Sequence, residues 1–227
     1  MTLRKRVAGP VMMKRRILII CVAGLVLSAL GLVLHLRSKD PELVALAGVQ
    51  AALQHNPSVV FATRCEQERN QTGLTEANFE RVWEKVVEPA LQGVTLTSKV
   101  QSEKLNFPAT QGTADVELRL GDGTRFDWAW VSFVTESTPR ANVLWSTLTM
   151  AWLLEAAKSD PSAYRAGRLS YAGAKLRGLR RDQAFLESLG LKGMVHPTGS
   201  MLTWAAIERS FIDQDRDESA YLASKSP

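Results

Sequence analysis

Residues 114–134 read ADVELRLGDGTRFDWAWVSFV, and this stretch decides the fold of the chain. Up to residue 120, apolar residues alternate with charged ones, which is the period of a half-buried β-strand. The tripeptide at 121–123, Gly-Asp-Gly, is typical of the tight turn of a β-hairpin. The residues after the turn alternate again, and both faces of this second strand become apolar near its end. The stretch therefore predicts an antiparallel hairpin whose second strand is central in a sheet.

Helical periodicity lies on both sides of the hairpin. Apolar residues recur there at intervals of three and four, as on the buried face of an amphipathic helix. Helices are predicted over residues 41–54, 75–92, 139–158, 161–174, 181–189 and 200–212. Alternation over 94–100 adds a strand before the hairpin, and 193–199 is interpreted as a loop.

Helices, then three or four antiparallel strands, then helices make an α+β domain. The sequence thus predicts helices packed on a three- to four-stranded antiparallel sheet, followed by a helical C-terminal part. In element order alone, the arrangement resembles NTF2-like or cystatin-like domains. No motif of either family accompanies the resemblance.

An uncharged apolar run, Ile17–Leu36, precedes all of these elements. Its 20 residues are about the length that a helix needs to cross a bilayer core. Six basic residues and no acidic residue come before it, which predicts a cytoplasmic N-terminus and an extracytoplasmic domain after the run. The alternative is a cleaved signal peptide that starts at Met13. Its best cleavage site, at residues 29–31, falls inside the apolar run, so a retained transmembrane signal-anchor is favoured.

The predicted organisation is a cytoplasmic basic segment at 1–16, a transmembrane helix at 17–36, an extracytoplasmic domain at 40–212 and a polar tail at 213–227. The net charge of +5 does not belong to the domain, because eight of the 28 basic residues flank the apolar run. The other 20 are set against all 23 acidic residues, so the domain carries about −3. This argues against nucleic-acid binding, which needs a basic surface. The predicted partners are the lipid bilayer of a cell membrane and, through the outer domain, another protein.

Sequence motifs for catalysis and metal binding are missing. Three histidines and two cysteines are too few and too dispersed for a zinc signature, and neither a nucleophile elbow nor a phosphate-binding loop is present. Cys65 and His196 can be combined with an acidic residue into a nucleophilic triad, but no local motif surrounds the cysteine. An inert, buried thiol is the commoner fate of such a residue. No catalytic residue, metal site or cofactor is predicted.

Tryptophans mark the one candidate binding region. Trp128 and Trp130 share a face of the second hairpin strand, and Trp152 lies on the helix that follows. They fit either a tryptophan-rich core, which is favoured, or a partly open cleft for a hydrophobic ligand, a glycan or a peptide. The leading hypothesis is a single-pass membrane protein with an extracytoplasmic binding or scaffold domain. The alternatives are an extracytoplasmic hydrolase with an unrecognised site and a carrier of lipid or another small ligand.

Overall fold

The structure, a computed structural model, describes residues 41–104, 111–133, 140–197 and 199–225. The apolar run Ile17–Leu36 and the basic residues before it lie outside these ranges, as does the proposed cleavage site within it. Among the helices of the described ranges, none combines the length and the apolar character that crossing a membrane requires.

The described residues form an α+β fold built on a small antiparallel sheet of order β1-β2-β3-β4. The hairpin predicted at 114–134 is confirmed, since Val116 of the second strand pairs with Trp128 of the third. Gly123 in its turn has a φ of +81°, which glycine adopts without strain. The third strand lies between two neighbours and is therefore interior, as predicted. The strands are β1 Thr95–Lys104, β2 Gln111–Arg119, β3 Arg125–Phe133 and β4 Arg140–Ala141.

Before the sheet, the chain is helical. The predicted helix at 75–92 is confirmed in outline, and Thr75 caps it by accepting a hydrogen bond from the amide of Asn78. Near its middle the helix widens into a π-helical turn, Trp83–Val87. Pro89 follows that turn and has no amide hydrogen for a regular helical bond, which accounts for the altered pattern. The α-helical segments are α1 Pro41–Leu53, α2 Pro57–Ala62, α3 Glu66–Gln71, α4 Glu76–Val82 and α5 Glu88–Leu91.

After the sheet, the structure departs from the sequence predictions in several places. The helices predicted at 161–174 and 181–189 are replaced by a short helix and one long helix that continues through Gly178. The loop predicted at 193–199 contains the first strand of a second hairpin, and the second strand lies at Met201–Thr203, where the predicted helix 200–212 was to begin. The elements are α6 Val143–Ser159, α7 Pro161–Arg165, α8 Tyr171–Ser188, β5 Gly193–Val195 and β6 Met201–Thr203.

The last helix, α9 Trp204–Lys225, continues well beyond the boundary predicted at residue 212. Residues 213–225 are therefore helical, where a polar tail was predicted. Two acidic residues explain the difference, because they bond to the start of α8. The carboxylates of Asp215 and Glu218 share the single proton of the Ser170 hydroxyl, and Glu218 also accepts a hydrogen bond from the amide of Ala172. These contacts hold the polar half of α9 against the neighbouring helix.

One hydrophobic cluster joins the helices to the hairpin. Helix α6 is the central element of this cluster, because residues on every face of the helix are buried. The largest fully buried side chains come from four different elements: Phe79, Phe126, Trp152 and Phe211. Packing of this kind positions α6 between the sheet and α8.

Lys158, near the end of α6, joins this helix to α5. Its Nζ donates hydrogen bonds to the carbonyl oxygens of Ala90 and Gln92, both at 2.6 Å. A cation at the C-terminus of a helix satisfies carbonyl groups that have no partner within the helix. Partial burial lowers the pKa of Lys158.

Replacing Lys158 with methionine should lower the free energy of unfolding by about 1–2 kcal/mol, because two charge-assisted hydrogen bonds are lost. Urea denaturation of the full chain in detergent measures the change. Lys192→Met is the matched control, since Lys192 is exposed. Equal unfolding free energies for the two variants would show that the bonds to α5 do not stabilise the fold.

Candidate functional site

A partly open cleft of about 360 Å³ lies between α6 and α8. Its volume falls in the range of about 300–1,000 Å³ that small-molecule sites occupy. The wall is mixed, with apolar side chains at the back and charged ones around them. It is formed by Trp152, Glu155, Ala156, Ser159, Asp160, Leu169, Ala174, Arg177, Gly178 and Arg181.

The back of the cleft depends on the contact between Trp152 and Gly178. A Cβ atom built on residue 178 would lie 2.2 Å from Cγ of Trp152, so only glycine lets the indole lie against the backbone of α8. The indole is 1% exposed, and its Nε1 donates a hydrogen bond to Oδ2 of Asp182 at 2.8 Å. Trp152 is therefore a core residue whose edge closes the cleft from behind.

An ion network joins the two helices beside the cleft. The Arg181 guanidinium binds Asp182 through two hydrogen bonds, Nε to Oδ1 at 2.8 Å and Nη2 to Oδ2 at 2.7 Å. It also forms an ion pair with Glu155 of α6. Hydrogen bonding to Asp182, reinforced by Glu155, raises the pKa of Arg181. Of these contacts, the ion pair with Glu155 links α8 to α6 at the edge of the cleft.

The remaining two charged groups of the wall differ in their contacts. Asp160 begins α7, and its Oδ1 accepts hydrogen bonds from the amide of Ala163 and the hydroxyl of Ser162, both at 2.8 Å. These bonds lower the pKa of Asp160. Arg177 is exposed, and among the described residues no hydrogen bond or ion pair engages its guanidinium.

Of the three tryptophans predicted to bind a ligand, the structure places Trp152 at the cleft. Trp128 and Trp130 lie on β3, where their backbones pair with Val116 and Ala114. Their side chains are outside the described part of the structure. The prediction that all three line one site therefore stays a prediction.

A second polar cluster lies at the start of α6, around Glu68. This carboxyl group is fully buried, and it accepts the amide of Val143 at Oε2 (2.9 Å) and the amide of Leu144 at Oε1 (2.7 Å). Burial raises the pKa of Glu68 to about 8, and hydrogen bonds from the backbone amides of α6 oppose the shift. Glu68 thus caps a helix that begins 75 residues later in the chain.

Cys65 and His196, the pair considered for a nucleophilic site, are both near this cluster. The Cys65 thiol is 0% exposed, packs with Val195, and accepts the amide of Glu68 at 3.5 Å. The half-buried ring of His196 meets Trp145 edge-on at 4.9 Å between centroids, and burial lowers its pKa. A thiol that solvent does not reach cannot meet a substrate in this conformation, so the arrangement fits the inert-thiol interpretation.

Several important residues were missed by the sequence analysis. A signal existed for Asp182, because it interrupts the apolar stripe that Leu179 and Leu186 form on α8, and a charge at such a position indicates a buried polar contact. No comparable signal marked Glu68, which lies in a polar run. Among the described residues, no cluster of three or more histidine, cysteine or acidic residues is arranged to hold a metal ion.

Comparisons with known proteins identify no relative of this chain. No protein-family model, no curated protein and no solved structure matches the chain. Fold and site together define an α+β domain with a small-molecule-sized cleft between two of its helices. The function must therefore be argued from the cleft itself and from the sequence that precedes the domain.

Proposed function

We propose that the chain is a single-pass membrane protein whose domain after residue 40 binds a small ligand in the cleft between α6 and α8. The observation that supports the proposal is a cleft of about 360 Å³ whose two helical walls are joined by direct contacts. The buried Trp152–Gly178 contact lies at the back, and the half-exposed ion pair between Arg181 and Glu155 links the two helices at the side. Contacts between the walls reduce the entropic cost of ordering them on binding.

The membrane part of the proposal rests on the sequence. The apolar run at 17–36 has the length of a span, and the basic residues before it favour a cytoplasmic N-terminus. The domain would then face the periplasm or the exterior of the cell. The fold supports the coarser α+β class, and the resemblance in element order to NTF2-like or cystatin-like domains belongs to this proposal. The interpretation of the outer domain as a binding or scaffold module that also contacts another protein is likewise part of this proposal.

A cleft-blocking variant tests ligand binding. Ser159 is exposed, is the last residue of α6 and lines the cleft, so Ser159→Trp should fill the opening without disturbing the core. Ser188→Trp is the matched control, because Ser188 is exposed and ends α8 with a similar hydroxyl-to-backbone hydrogen bond. The full chain in detergent is screened by thermal unfolding against a library of small acids, amines, sugars and neutral aromatics.

Compounds that raise the melting temperature of the wild type should do the same for Ser188→Trp and lose the effect in Ser159→Trp. Binding to the folded state alone raises stability by mass action, so the shift reports the site directly. A library without a single stabilising compound, or hits that act equally on Ser159→Trp, would refute the cleft as a binding site.

Labelling of an introduced cysteine tests the topology. Ser188→Cys places a thiol at an exposed position of the domain, and a membrane-impermeant maleimide should modify it in intact cells above the level of the wild type. Retention of the full-length chain in membranes after alkaline extraction checks that the anchor is kept. Modification that appears only after the membrane is permeabilised would place the domain on the cytoplasmic side and contradict the proposal.

Each of the two alternative functions requires a structural feature of its own. A hydrolase needs a reactive group that solvent reaches, and the buried Cys65 does not meet that requirement. A lipid carrier needs an enclosed apolar cavity, whereas the cleft described here is partly open and charged along its rim. Neither alternative is favoured by a specific observation.

A further inference from the structure

We infer that the ligand of the cleft is a small organic acid, with its carboxylate bound by Arg177 and its apolar part directed to the back of the cleft. This inference rests on the proposed function and names the chemical class of the ligand. Two features of the wall carry it: the state of its charged groups and the distribution of its small residues.

The two guanidinium groups of the wall differ in their partners. Glu155 is paired with Arg181, which also binds Asp182 through two hydrogen bonds. Asp160 accepts two hydrogen bonds within its own turn. Arg177 has no such partner among the described residues. A ligand anion could therefore bind the guanidinium of Arg177 without displacing an acidic side chain from it.

The chemistry of guanidinium favours a carboxylate at this position. Arginine presents donors in a planar fork that matches the two oxygens of a carboxylate, and such charge-assisted pairs are stronger than neutral hydrogen bonds. Amides that replace the carboxylate keep its shape and lose its charge. The distinction between an acid and its primary amide thus isolates the contribution of Arg177.

The space behind Arg177 suits a compact apolar group. Ala156, Ala174 and Gly178 are small, and their lack of bulk leaves the cleft open in front of Trp152. Leu169 adds an apolar wall from the segment between α7 and α8. Because Trp152 is 1% exposed, its ring closes the pocket and does not offer a full stacking face. The expected ligand is therefore an acid with a short aliphatic or single-ring body.

The experiment uses aliphatic and aromatic carboxylic acids, each paired with its primary amide. Binding to the full chain in detergent is measured by calorimetry for the wild type, Arg177→Gln and Arg209→Gln. Arg209 is an exposed arginine of α9 that does not line the cleft, so it controls for loss of surface charge. In the wild type the best acid should bind about tenfold or more tightly than its amide, and added salt should weaken the acid alone.

Arg177→Gln should remove that preference by weakening the acid about tenfold while the amide is unchanged, and Arg209→Gln should behave like the wild type. Equal affinity for acids and amides, or an unchanged preference in Arg177→Gln, would overturn the anion inference. If Ser159→Trp still abolishes binding in that case, the cleft remains the binding site and only the ligand class is wrong. If Ser159→Trp leaves binding intact, the proposed function fails as well.

Discussion

Replacing Gly178 with alanine should lower the free energy of unfolding by about 1–3 kcal/mol, a large part of the roughly 5–15 kcal/mol that stabilises a typical domain. The new methyl group would lie 2.2 Å from Cγ and 2.3 Å from Cδ1 of Trp152. The indole cannot move aside easily, because it is buried and its Nε1 is bonded to Asp182. Alanine gains about 1 kcal/mol of helix propensity over glycine, which reduces the loss without reversing it.

Urea denaturation of the full chain measures the effect, with Gly121→Ala as the control. Gly121 has an ordinary φ, and the nearest atom to a Cβ there is 3.6 Å away, so that change should be nearly neutral. A second variant separates the clash from other effects. Trp152→Leu removes the ring, and in that background Gly178→Ala should cost far less, which a double-mutant cycle reports as a coupling energy. A neutral Gly178→Ala, or additive effects, would mean that the indole does not lie against residue 178.

The same contact shows where sequence reasoning reached its limit. Period-two alternation correctly predicted the β2–β3 hairpin, and period-3.6 patterns correctly predicted α1 and α6, because each pattern reflects one buried face. The continuity of α8 through Gly178 was missed. A glycine within a helical pattern costs stability unless a neighbour needs the space. That neighbour, Trp152, comes 26 residues earlier in sequence, and no local pattern connects the two.

The candidate site was predictable to a similar extent. Trp152 was predicted to belong either to a tryptophan-rich core, the favoured interpretation, or to a cleft shared with Trp128 and Trp130. Its contacts on α8 depend on how two helices pack. The prediction of a polar tail at 213–227 missed the helix over 213–225 for a related reason. Its acidic residues look like a solvated tail until Asp215 and Glu218 are seen to cap the start of α8. Polar residues that act through distant contacts have no signature in a single sequence.

Glu68 should make the stability of the domain depend on pH. Its pKa in the folded state is raised from an ordinary value near 4.5 to about 8 by burial. A group of this kind contributes stability that is fully present below pH 4.5 and is lost as the pH rises through about 8. The free energy of unfolding of the wild type should therefore fall between these pH values, by up to about 5 kcal/mol if the whole shift is realised.

Glu68→Gln removes the titrating group and should abolish that part of the pH dependence. At acidic pH the variant should be less stable by about 1–3 kcal/mol, because both oxygens of the protonated carboxyl can accept the amides of Val143 and Leu144, whereas the NH2 group of glutamine cannot accept. At pH 9 the order should reverse, since glutamine carries no charge to bury. Urea denaturation between pH 4.5 and 9 follows both curves, with Glu80→Gln as an exposed control that should run parallel to the wild type.

A crossing of the two curves would mean that the buried carboxyl is protonated at neutral pH and that burial outweighs the amides of α6. Wild-type stability that stays flat or rises from pH 4.5 to 8 would mean the opposite. In that case the amide donors and the charge of Arg64, both of which lower the pKa of Glu68, would hold the carboxyl ionised, and the helix would be capped by a charge. The capping bonds exist in both cases. The pH profile therefore decides whether the protonated or the ionised carboxyl makes them. It also decides whether the junction between α3 and α6 weakens in alkaline solution.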